Sequence, residues 1–131
     1  MPKTSSDQPP PRDLHVLVVD DHEDTRDGYA LFLRASGLTA VTAGSGHEAR
    51  QHLDRTQPDV VVLDVTLADM SGLDLLAEMK ERSATARIPV LLVSGHHFER
   101  KPMGAADVLL KPLLPSQLLQ HVRRVAVPPS A

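Results

Sequence analysis

Val60-Val61-Val62-Leu63-Asp64 is an unbroken apolar run, three of its four residues β-branched, that stops at a carboxylate. Three more runs share this form: Val16-Leu17-Val18-Val19 ahead of Asp20-Asp21, Val90-Leu91-Leu92-Val93 ahead of Ser94, and Val108-Leu109-Leu110 ahead of Lys111. A strand apolar at every position suits burial on both faces, as in a parallel sheet covered by helices. Parallel strands share one carboxyl edge, where open α/β sheets bind ligands. Three carboxylates, one hydroxyl and one ammonium are therefore expected round a single crevice.

Between these runs the spacing predicts helices. The first extends from about Asp24 to Ala35 and stops at Ser36-Gly37, where glycine suits a left-handed C-cap. Thr39-Ala40-Val41-Thr42-Ala43 is the least apolar strand candidate and is placed at a sheet edge. Ser45 and Glu48 form a capping box that opens a second helix, ending near Arg55. Ser71 with Asp74 opens a third, in which Leu73, Leu76 and Met79 or Lys80 carry the helical period and Leu75 widens the stripe. Pro115 fits the first turn of the last helix, with Leu118, Leu119, Val122 and Val125 on one face. The expected class is α/β in three layers, with five strands and about five helices.

Bulk properties narrow the function. The 131 residues fit one domain with a real core. Lys and Arg number 14 against 17 Asp and Glu, a net charge of -3, and no basic stripe tracks a phosphate backbone, so no direct nucleic-acid partner is expected. Cysteine is absent, which removes disulfides and thiolate metal sites and suits a reducing compartment. No apolar run approaches membrane-spanning length, so a cytoplasmic protein without membrane insertion is expected. Residues 1–12, with Ser5-Ser6 and Pro9-Pro10-Pro11, read as a flexible lead-in. Residues 13–127 read as the folded domain and 128–131 as a short tail, with no effector domain following.

Asp20, Asp21 and Asp64 brought together raise one another's pKa, a cost that a divalent cation resolves. Oxygen donors without cysteine point to a hard ion, and carboxylates with waters and phosphate oxygens suit octahedral Mg²⁺. Lys111 adds a cation able to meet a phosphoryl oxygen, and Ser94 can donate a hydrogen bond to another. His96-His97 read as polar loop residues, His22 as a helix-start residue, and Arg123-Arg124 as complements to a helix dipole rather than binding groups.

Val19-Asp20-Asp21, Asp64, Ser94-Gly95 and Lys111-Pro112, in that order at four strand ends, resemble the receiver domain of bacterial response regulators over about Leu14 to Ala126. Gly104-Ala105-Ala106-Asp107 also matches the family's approach to its lysine. The resemblance implies a flavodoxin-like strand order, 2-1-3-4-5. It implies a phosphoacceptor, Asp64, that takes its phosphoryl group from a sensor histidine kinase or a histidine phosphotransfer protein. It further implies Mg²⁺ on Asp21, Asp64 and the Thr66 carbonyl, with Asp20 acting through water. Ser94, the Gly95 N–H and Lys111 would hold phosphoryl oxygens, and Lys111-Pro112 would be cis. The implied role is regulatory rather than enzymatic: a two-component or phosphorelay receiver that changes affinity for a downstream protein, read as stand-alone, with a receiver excised from a hybrid kinase and homodimerisation left open.

Three departures limit that transfer. Val108 stands where the family carries an aromatic residue that rotates on activation. Lys111 follows Ser94 by only 17 positions, so His96 to Met103, with Pro102, leave a fourth helix short or missing. Ala68 replaces the usual loop proline, while Thr66 and His96 occupy the positions that tune dephosphorylation, which implies an atypical lifetime. Two alternatives stand beside the main reading. One is a degenerate receiver that binds a partner without phosphorylation. The other is an aspartate-nucleophile phosphohydrolase, which would need a second acid where this chain has Thr66.

Overall fold

A computed structural model describes residues 13–126. It contains strands β1 (His15–Val19), β2 (Thr39–Ala43), β3 (Val60–Asp64), β4 (Val90–Ser94) and β5 (Asp107–Leu110), and helices α1 (Glu23–Ala35), α2 (Gly46–Arg55), α3 (Gly72–Glu81) and α4 (Pro115–Ala126). All five strands pair in parallel in the order β2-β1-β3-β4-β5, the flavodoxin-like order expected. The expectations for residues 1–12 and 128–131 lie outside the described residues.

Alternation along each strand explains the unbroken apolar runs. Leu17, Val19, Val61, Leu63 and Leu92 face one way and pack with Ala49, Leu53, Leu75, Leu76 and Met79 of α2 and α3. Val16, Val18, Val60, Val62, Leu91 and Val93 face the other way and meet Tyr29, Ala30, Leu33, Leu118 and Val122 of α1 and α4. Successive side chains point to opposite faces, so a sheet covered twice needs apolar residues at every position. In α3 the stripe is centred on Leu75, Leu76 and Met79, and Leu73 is only half-buried.

The caps follow the sequence closely. Ser45 Oγ accepts the Glu48 N–H at 3.0 Å, and Glu48 Oε1 accepts the N–H of Gly44, one residue before the cap. Ser71 Oγ accepts the Leu73 N–H at 3.1 Å. His22 is the N-cap of α1, its Nδ1 accepting the Thr25 N–H. Past the end of α1, Gly37 has φ +96°, and the Gly37 and Leu38 N–H groups bond the Arg34 and Leu33 carbonyls, a closed Schellman arrangement. Arg123 donates to the Ser36 carbonyl and Arg124 to Asp107 Oδ2 at 2.7 Å. Both arginines lie in the last turn of α4, where their charge complements the helix dipole as expected, and these bonds within the domain add to that role.

The described residues hold four helices rather than five, and none lies between β4 and β5. That connection carries Pro102 and Gly104, the latter at φ +92°, and both oppose a continuous helix.

Gly28 sits on the exposed face of α1, where an added Cβ would meet nothing within 4 Å. Gly28→Ala is expected to stabilise the domain by about 1 kcal/mol through helix propensity alone. A thermal midpoint raised by about 3–5 °C is the measurement; a midpoint unchanged or lowered would show that the glycine serves another purpose.

Candidate functional site

The carboxyl edge of the sheet gathers the predicted side chains. Asp20 and Asp21 follow β1, Asp64 ends β3, Ser94 ends β4 and Lys111 follows β5. Asp20, Asp21, Asp64, Thr66, Gly95, His96 and Lys111 line one cleft of about 430 Å³, joined by His22 and Thr25 from the start of α1. Asp20 and Asp64 are 3 % and 5 % exposed, whereas Asp21 and Thr66 reach solvent.

Asp64 is held at both oxygens. Its Oδ2 accepts the Lys111 ammonium at 2.6 Å, and its Oδ1 accepts the Thr66 N–H at 2.9 Å. Asp20 Oδ1 accepts the His22 N–H at 2.8 Å. Burial pushes the Asp20 carboxyl above the usual carboxylate range; the His22 N–H and Lys111 oppose that, and the neighbouring Asp64 adds to it. Burial alone would lower the Lys111 ammonium, but its hydrogen bond to Asp64 and the two carboxylate charges outweigh it and raise the pKa. The lysine thus stays charged and partly offsets an acidic pair.

Ser94 is placed differently from the other predicted residues. It is buried at the strand end, but its hydroxyl donates to the His96 carbonyl at 2.8 Å and accepts the His96 N–H at 2.9 Å. The group therefore closes its own turn instead of facing the cleft. Val108 is partly buried, packing on the side of α2 and α3, and borders a smaller cavity with Phe98 away from Asp64. The Lys111-Pro112 bond is cis, as expected.

Three contributors were missed in the sequence. Tyr29, the only tyrosine, is buried on the inward face of α1, and its hydroxyl donates to the Leu113 carbonyl at 3.1 Å. Arg26 donates to the Asp20 carbonyl at 3.3 Å. Gly72 lies so close to the phosphoacceptor candidate that a Cβ there would sit 2.2 Å from the Asp64 carbonyl oxygen. Tyr29 had one available signal, a lone aromatic at an inward helical position; the other two depend on contacts between distant segments.

Among the described residues, no three acidic or imidazole side chains stand ready to hold a metal ion as they are. The donor chemistry nevertheless fits a hard divalent cation: every carboxylate is an oxygen ligand, and the buried Asp20–Asp64 neighbourhood carries charge that Lys111 alone only partly offsets.

A doubly covered parallel sheet with an acidic cleft and one lysine at its carboxyl edge defines a doubly wound α/β protein, with the cleft where such sheets place their ligand crevice. The family model of the response regulator receiver domain matches residues 16–123, and the chain belongs to that family of two-component signalling domains. It is 33% identical over 115 residues to the sensory transduction protein RegX3 of Mycolicibacterium smegmatis, covering 84% of this chain and 49% of that protein. It is 30% identical over 125 residues to a 14.6 kDa protein of Leptolyngbya boryana, covering 90% of this chain and 95% of that one. The chain spans about half the length of the first curated relatives it matches, RegX3 among them. Its structure resembles the chemotaxis response regulator CheY4 of Vibrio cholerae with a TM-score of 0.81 at 27% identity, over 87% of this chain and 99% of that one. No helix among the described residues is long and apolar enough to cross a membrane.

Proposed function

We propose that this receiver is a working phosphoacceptor in the cytoplasm, taking a phosphoryl group from a phosphohistidine of a sensor kinase or phosphotransfer protein onto Asp64. One observation carries the reading: a buried Asp64 held by Lys111 at 2.6 Å beside a second buried carboxylate, all at the sheet's carboxyl edge. An Asp64 oxygen attacks phosphorus, the bond from phosphorus to the donor imidazole nitrogen breaks, and the imidazole leaves with its electron pair. The product is an aspartyl phosphate, a mixed anhydride. Because the transition state is loose, the residues mainly position groups and neutralise charge.

Asp21, Asp64 and the Thr66 carbonyl would hold Mg²⁺, with Asp20 acting through water. Bound there, the ion neutralises charge on the phosphoryl oxygens. Lys111 exchanges its carboxylate partner for a phosphoryl oxygen, and the Gly95 N–H donates to another. Ser94 reaches the phosphoryl group only by leaving its two bonds to His96, so phosphorylation reshapes the start of the connection between β4 and β5. That change is the proposed signal to a downstream protein. With Val108 in place of a rotating ring, it travels through the turn at Ser94 to His96.

The test is intact mass over time for the purified chain with Mg²⁺ and a small acyl-phosphate donor. A persistent single-phosphoryl adduct is expected. No adduct would favour a constitutive binding module, a second reading to which the aliphatic Val108 and the missing helix lend some weight. Rapid multiple turnover of donor would favour a phosphohydrolase.

Lys111→Ala is expected to retain Mg²⁺ binding but lose the phosphorylation-dependent change in the amide resonances of Ser94 to His96. Metal titration and amide spectra of the same protein check both halves. Loss of metal binding would refute this division of roles.

A further inference from the structure

The segment after the phosphoacceptor candidate, residues 65–71, is pinched at its base. The Gly72 N–H donates to the Val65 carbonyl at 2.7 Å, and Thr66 bridges Ser71. Leu67 is buried in the core, which fixes the depth of the loop but not the orientation of its tip. Ala68 supplies no backbone restraint of the kind a proline would. The tip is held by Asp69: its Oδ1 accepts the Gly46 N–H at 2.9 Å and its Oδ2 accepts the His47 N–H at 3.0 Å. These are orphan donors of the first turn of α2, a favourable place for a carboxylate. Gly46 also lies against Met70, so close that a Cβ there would sit 2.2 Å from Sδ. One carboxylate on two successive N–H groups fixes direction as well as distance.

We propose that Asp69 is a positioning residue: by clasping the amino end of α2 it sets the loop that carries Thr66, and through Thr66 it sets Mg²⁺ affinity and phosphoryl uptake at Asp64. The inference rests on the function proposed above. Asp69 touches neither the cleft nor the reacting atoms, and it acts through the loop backbone. The Gly46 and His47 bonds also hold its carboxyl below the usual range, so the clasp stays ionised at neutral pH.

Two caps on the same helix allow a clean test. The Ser45 hydroxyl caps α2 through the Glu48 N–H rather than through the loop, so Ser45→Ala and Asp69→Ala both weaken that helix but only the second removes a bond to the loop. Calorimetric titration with Mg²⁺ alone is expected to show affinity about tenfold weaker in Asp69→Ala, in the range for groups that orient metal ligands, and nearly unchanged in Ser45→Ala. Amide exchange at Thr66, whose N–H bonds Asp64, is expected to quicken in Asp69→Ala alone. Equal effects of the two variants on Mg²⁺ affinity, or no effect of Asp69→Ala, would overturn the proposal. If the wild-type protein binds no Mg²⁺ and takes no phosphoryl group, the proposed function fails. The positional half of the inference is then decided by Thr66 exchange, and exchange unchanged in Asp69→Ala overturns it.

Discussion

Asp64→Asn is expected to abolish the phosphoryl adduct entirely while leaving a folded domain. The amide keeps the volume of the carboxylate and can still accept the Thr66 N–H, so the loop geometry survives. It removes the oxygen proposed as the nucleophile. It also removes one of two neighbouring buried acids, while the amide NH2 then stands where Oδ2 accepted the Lys111 ammonium, so relief of acid–acid repulsion is set against a lost charge-assisted bond. Intact mass after incubation with Mg²⁺ and an acyl-phosphate donor should stay at the unmodified value for hours under conditions that modify wild type. An Asp64→Asn protein that gains the same single phosphoryl group would place the nucleophile elsewhere in the cleft, with Asp20 and Asp21 the remaining carboxylates.

Gly72→Ala is expected to be the most damaging single methyl in the domain. Its Cβ would lie 2.2 Å from the Asp64 carbonyl oxygen and 3.0 Å from the Asp64 carbonyl carbon and the Val65 Cα. All three contacts are backbone, so no side chain can swing aside. Overpacking at a buried site costs typically 1–3 kcal/mol, and a backbone clash this close belongs at or above the upper end. A fall in the thermal midpoint on the order of 10 °C is expected for a cost near 3 kcal/mol. Any folded population should take up phosphoryl groups more slowly, because the displaced strand end is the one bearing Asp64. Gly28→Ala, one methyl in open space, should move stability the other way, and equal effects at both sites would defeat the steric argument.

Val108 and Ser94 show where reading residues in order reaches its limit. Ser94 ends β4 and Val108 lies within β5 as their apolar runs predict, yet Ser94 turns its hydroxyl to His96 and Val108 packs away from the cleft. A side chain's position along a strand is local information, whereas its rotamer answers to whatever the next loop offers. The shortened connection between β4 and β5 was legible because Pro102, Gly104 and a small residue count act within the segment itself.

Strand positions, most helix boundaries, the two-sided burial of the sheet and the set of reactive residues at its carboxyl edge follow from the chain alone. They arise from side-chain periodicity, caps and turns that span only a few positions. Tertiary structure decided the rest: Lys111 closing on Asp64 across 47 positions, Asp69 reaching α2 across 22 and 23, Arg124 finding Asp107, and the closeness of Gly72 to the Asp64 backbone. Each of these joins residues whose nearness exists only once the sheet has assembled and the helices have packed against it.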